Sequence, residues 1–157
     1  MSPWILALIG WGVMAIVMAV LWRVQKSRGD AGIVDVAWGL GVGLVGAFFS
    51  AMSTIGDSTR RVLIAALALT WALRLSAHIF ARLRRLPEDG RYQTLKSQWG
   101  DRAQGNLFLF FQVQAFWSVL FALPMLIAAR NPEPALTQWD LAGIAHLAGR
   151  RHRRNAG

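Results

Sequence analysis

Apolar and polar positions fall in blocks of membrane length along this chain. Residues 2–22 contain no charged side chain. Residues 36–56 form a second uncharged run, and residues 62–81 a third that only Arg74 and His78 interrupt. A fourth run covers residues 107–129. A helix needs about 20 residues to cross about 30 Å of hydrocarbon, so each block is long enough to span a bilayer. Residues 141–149 are a fifth apolar segment, too short to cross. The pattern predicts an all-α, polytopic integral membrane bundle: four transmembrane helices and a short, incomplete fifth segment. Residues 1–149 make the membrane domain and residues 150–157 a basic tail.

The first block is read as a retained helix. A signal peptide wants a positively charged start, a shorter apolar core and a small-residue cleavage site. Met1-Ser2-Pro3 carries no side-chain charge, and Trp22-Arg23 resembles a helix end at a membrane interface.

Composition agrees with the blocks. Hydrophobic residues are 55% of the 157 and charged residues 16%, against roughly 25% charge in soluble domains. The chain has no cysteine, which excludes disulfides, thiolate catalysis and cysteine-ligated zinc. The net charge of +9 invites a nucleic-acid reading, but the cations sit between apolar runs, as in a membrane protein. The tail Arg150-Arg151-His152-Arg153-Arg154 suits anionic headgroups. The partner expected is the lipid bilayer, with a membrane protein partner also possible, and not nucleic acid.

Short loops orient membrane proteins through Lys and Arg. Arg23, Lys26 and Arg28 follow the first block, and Arg82, Arg84, Arg85, Arg91, Lys96 and Arg102 follow the third. The other side carries only Arg60, Arg61 and Arg130. Loops 23–35 and 82–106 are therefore expected in the cytoplasm and the N-terminus outside. Trp4, Trp22, Trp38 and Trp139 fall near block ends, as an aromatic belt requires. Trp71 and Trp117 lie deeper and are expected to pack between helices.

Gly41-Val42-Gly43-Leu44-Val45-Gly46 matches the dinucleotide fingerprint G-x-G-x-x-G. That fingerprint needs a preceding strand and the open N–H groups of a helix start. These glycines lie inside an apolar helix whose N–H groups are already bonded, so the nucleotide reading fails. Gly39 and Gly43 instead have the G-x-x-x-G spacing that lets membrane helices approach.

Arg74 and His78 carry more information. A charge inside a spanning helix costs about 2.5–3.5 kcal/mol on insertion scales and faces protein or water. Arg74 sits about 10 Å deep from the cytoplasmic end, at 1.5 Å per residue. Helical spacing sets Arg74, His78, Arg82 and Arg85 on one broad stripe. Snorkelling to the interface is the plain reading; the wall of an anion-binding pocket is the functional one. Asp35 opens the second block from the same side and could pair with Arg74. Gln114 lies about 10 Å into the fourth block. Asp35, Arg74, His78 and Gln114 thus share a depth and suggest one polar layer.

Glu88, Asp89 and Arg91 interleave carboxylates with guanidinium groups in the loop after the third block. They could order the loop or recognise a phosphate or carboxylate. His78, His146 and His152 have no metal-ligand spacing, and no metal site is expected. No Ser-His-Asp arrangement is recognisable.

Four segments in order carry a family resemblance. They are Ile33-Val34-Asp35-Val36-Ala37-Trp38-Gly39-Leu40-Gly41, Thr70-Trp71-Ala72-Leu73-Arg74-Leu75-Ser76, Glu88-Asp89-Gly90-Arg91-Tyr92-Gln93, and Gln114 with Pro124. Together they resemble a bacterial membrane family of unknown function related to steroid 5-alpha-reductases. The similarity extends from roughly residue 30 to Gly149.

The resemblance implies NADPH-dependent reduction of a carbon–carbon double bond conjugated to a carbonyl, in a lipid or steroid-like substrate. It implies a helical bundle in the bacterial inner membrane with a cofactor pocket open to the cytosol. Arg74 and Arg82 would assist the cofactor phosphates or the pocket's charge. Asp35, His78 and Gln114 would hold the polar layer. Glu88, Asp89, Arg91 and Tyr92 would order the loop, with Tyr92 the candidate hydrogen-bond donor to substrate. The family's "E-x-x-A-D-x-Q" and "R-H-P-N-Y" segments, which form most of its cofactor site, do not occur in residues 1–157. Likeness ends at Gly149, and Arg151-His152 is not followed by Pro-Asn. That favours a truncated or frame-shifted frame, inactive alone, over a genuine short form. Two alternatives stand beside it: a non-enzymatic subunit packing through the Gly-rich span, and a methyltransferase-like relative.

Overall fold

A computed structural model of the chain describes residues 1–85, 90–133 and 138–149. All regular structure among them is helical: α1 (Pro3–Arg28), α2 (Ile33–Met52), α3 (Ser58–Leu83), α4 (Gly90–Trp99), α5 (Ala103–Ala129) and α6 (Gln138–Gly149). Four helices are long and apolar enough to cross a membrane: α1, α2, α3, and the stretch Gly90–Ala129 whose apolar part is α5. The basic tail lies outside the described residues.

The helix ends follow from local chemistry. α1 stops at Gly29, which takes the left-handed conformation at φ 76° and donates its N–H to the Gln25 carbonyl. α2 ends at Met52, earlier than the uncharged run, because the chain must turn before α3. Gly56 makes that turn at φ 103°, against the Ala129 carbonyl, where a Cβ has no room. Asp57 then caps α3, its carboxylate accepting the Arg60 N–H at 2.9 Å. Arg61 closes the α2 end by donating to the Ser50 and Ala51 carbonyls at 3.0 and 2.9 Å. Arg60 is 2% exposed and donates to the Glu133 carbonyl at 3.1 Å, fastening α3 to the segment after α5.

α2 is the centre of the bundle. It packs most extensively on α3, then on α5, while α1 leans mainly on α5. Small residues set the α2–α3 approach. A Cβ on Gly43 would strike the Ala72 side chain and lie 2.8 Å from the Ala68 carbonyl. At Gly39 it would come 2.9 Å from Ser76 Oγ. Ser76 uses that closeness, donating to the Val36 carbonyl at 3.0 Å. The G-x-x-x-G spacing is therefore filled within this chain.

This mode of packing corrects one expectation. Trp71 and Trp117 are 40% and 44% exposed and point away from the helix contacts. Ala68, Ala72 and Ser76 occupy the contact face of α3, and Ala115, Ser118 and Ala122 are among the buried positions of α5. Indole rings there would hold the helices apart. Trp22 and Trp38 instead pack at the edges of the core, with Trp22 edge-to-face on Phe108 and Trp38 on Phe121.

Among the polar contacts that join α1 to α5 is a buried amide pair. Gln25 is fully buried, and its amide donates to Gln104 Oε1 at 2.8 Å, while Gln25 Oε1 has no partner. Gln25→Leu removes the bond but also removes the unpartnered oxygen. The expected cost is therefore under about 1 kcal/mol, read as a shift in thermal unfolding in detergent.

Candidate functional site

The segment read as a loop contains α4, a polar ten-residue helix outside the apolar part of the fourth span. Lys96 fastens it to the turn after α1 by donating to the Gly29 carbonyl at 2.6 Å. The helix packs on α5, and side chains of its first turn reach the start of α2. Tyr92 enters the core there, 2% exposed, in the same cluster of buried residues as Ala31, Val34, Leu107 and Phe111, and meets Phe110 edge-to-face.

The Tyr92 hydroxyl donates to Asp35 Oδ1 at 2.9 Å. Arg91 pairs with the other carboxylate oxygen, Oδ2, at 3.0 Å. The Gln114 amide reaches the Tyr92 oxygen from α5 at a long 3.5 Å. Burial, then the Asp35 charge, push the phenol well above its usual pKa, so Tyr92 stays a neutral O–H. Asp35, Arg91, Tyr92 and Gln114 thus form one hydrogen-bonded cluster from three helices at one end of the bundle.

The expected Asp35–Arg74 pair does not form. Asp35 is taken by Tyr92 and Arg91, whereas Arg74 is exposed and makes no hydrogen bond or ion pair among the described residues. Helix rotation explains this. Ser76 faces α2, and a residue two positions away is turned by about 200°. His78 and Arg82 share the exposed side with Arg74. The four-residue polar layer accordingly divides: Asp35 and Gln114 join the cluster, and Arg74 and His78 do not. Glu88 and Asp89 lie outside the described residues.

Sequence reasoning placed Arg91 and Tyr92 together in an ordered loop but gave neither its partner. Asp35 and Tyr92 are 57 residues apart, so only the seating of α4 joins them. Gln25, Gln104 and the burial of Arg60 also escaped notice. The signal available for each was a polar side chain at the edge of an apolar run.

Two further cavities are apolar or peripheral. One, about 430 Å³, runs between α1 and α2 and is lined by Val13, Met14, Leu40 and Leu44 among others. The second, about 290 Å³, lies at the end of α1 against Trp22, Arg23, Lys26 and Ser27. Neither includes Arg74 or Arg82.

No curated protein and no solved structure matches the chain. A family model does, over residues 21–148, a stretch that contains α2 to α5 and every member of the Asp35 cluster. The chain therefore belongs to the family described as "Protein of unknown function (DUF1295)".

Proposed function

We propose that the protein is the substrate-holding membrane part of a reductase-type system acting on an enone lipid or steroid-like molecule. The observation that carries this reading is the buried Tyr92 hydroxyl, donated to Asp35 and approached by Gln114. A conjugated carbonyl is activated when a donor polarises its oxygen. A carbonyl oxygen entering the cluster takes the Tyr92 proton in place of Asp35, and the Gln114 amide adds a second donor.

NADPH enters through the family resemblance. Arg74 and Arg82 are exposed on α3 and line neither of the two cavities described above. The hydride step is not assigned to residues of this chain. The subunit reading has less support, because Gly39, Gly43 and Gly46 already meet α3 and α5 within the chain. In the proposed setting the cluster faces the bacterial cytoplasm from the inner membrane, with the N-terminus outside. The distribution of Lys and Arg supports that orientation.

Equilibrium binding of tritiated progesterone to the detergent-solubilised chain tests the reading. The wild type should bind, and Tyr92→Phe should weaken binding about ten-fold, the loss of one good hydrogen bond. Pregnane, the same skeleton without a carbonyl, should be insensitive to the substitution. Equal progesterone affinity in wild type and Tyr92→Phe would remove Tyr92 from substrate recognition.

A further inference from the structure

The C-terminal end of α1 combines a cationic pocket with an apolar strip, and neither belongs to the Asp35 cluster. The 290 Å³ cavity is lined by Trp22, Arg23, Lys26 and Ser27. The Trp22 ring is fixed, since its indole N–H donates to the Gln104 carbonyl at 2.9 Å and it packs T-shaped against Phe108. Lys26 Nζ stands 5.6 Å above the same ring. Arg23 and Lys26 are exposed and pair with no carboxylate among the described residues. Two cations beside a rigid indole, at the end of a membrane-length helix, form an interfacial anion site.

What lies below the cations decides the kind of anion. Ile16, Gly12 and Leu8 follow Arg23 at helical spacing, on the same side of α1. Ile16 and Leu8 are 67% and 64% exposed, and a Cβ on Gly12 would meet nothing within 4 Å. From Arg23 to Leu8 the helix rises about 22 Å, more than the roughly 15 Å half-thickness of the hydrocarbon. A free phosphate would use the cations alone. A molecule with an anionic head and long apolar chains uses the whole strip.

We infer that Arg23 and Lys26, with the Trp22 ring, bind the phosphate headgroup of an anionic phospholipid whose chains lie along the Ile16–Gly12–Leu8 side of α1. The site is independent of the proposed substrate cluster. Basic residues near a membrane surface are worth about five-fold each toward anionic lipid, which sets the expected effect at about 25-fold for the pair.

Native mass spectrometry of the detergent-solubilised chain, titrated with dioleoyl phosphatidylglycerol or dioleoyl phosphatidylcholine, tests this. The chains are identical, so only the head differs. The wild type should show one tight site that prefers phosphatidylglycerol. Arg23→Gln with Lys26→Gln should abolish the preference, and the charge-keeping pair Arg23→Lys with Lys26→Arg should retain it. Glycerol 3-phosphate should not displace the lipid. Equal binding of the two lipids, or a preference that survives the neutral pair, would overturn the site. Displacement by glycerol 3-phosphate at comparable concentration would overturn the lipid as its occupant and leave a site for soluble phosphate.

Discussion

Gly43→Val should be severely damaging, lowering stability by about 3 kcal/mol or preventing folding outright. Overpacking commonly costs 1–3 kcal/mol, and the top of that range applies where the neighbour cannot move. Here one neighbour is the Ala68 backbone carbonyl, 2.8 Å from where the Cβ would stand. The Ala72 side chain blocks the other direction. The two helices in the most extensive contact of the fold would have to separate, breaking the Ser76–Val36 hydrogen bond. Gly12→Ala is the matched control, because its Cβ enters open space. It should leave stability unchanged or raise it by about 0.5–1 kcal/mol, since alanine favours helix. Thermal unfolding in detergent, followed by circular dichroism, reads both. If Gly43→Val melted with the wild type, α2 and α3 would not approach as described.

Asp35→Ala should cost about 2–3 kcal/mol, mainly through Tyr92. Hydrogen bonds to charged groups contribute about 1.5–3 kcal/mol, and a buried hydroxyl left without its acceptor adds a desolvation penalty. The Arg91 pair contributes little by comparison: its side chain is 68% exposed, and exposed pairs are worth about 0–1 kcal/mol. Tyr92→Phe removes the same bond from the other side. The two changes should therefore be non-additive, the double variant costing about 1–2 kcal/mol less than the sum of the singles. Additive costs in the cycle would mean that Asp35 and Tyr92 do not share a bond. Arg91→Gln is the companion measurement and should shift stability by no more than about 1 kcal/mol.

These two expectations differ in how far they were readable before the fold. The Gly43 contact was half visible, since G-x-x-x-G inside an apolar run signals close packing without naming the partner helix. The Asp35–Tyr92 bond was not visible. Asp35 looked toward Arg74 because charge pairing and shared depth were the only guides. Shared depth cannot say which way a side chain points around its helix, and Arg74 points away from α2.

The amino-acid sequence by itself determined the all-helical class, the existence of four membrane-length spans, the close-packing glycines and membership in a family of unknown function, the part of the resemblance that the DUF1295 match shows. Those are properties of contiguous residues: run length, composition and fixed spacing. Tertiary structure decided that residues 90–99 form a helix packed on α5, that Trp71 and Trp117 face outward, and that Asp35 joins Tyr92 and Arg91. The physical reason is the solvent. In a bilayer the outer face of a helix is as apolar as its inner face, so the period that marks a buried side in water is largely erased. Which faces meet is then set by where small side chains allow backbones to approach, and that depends on all the helices at once.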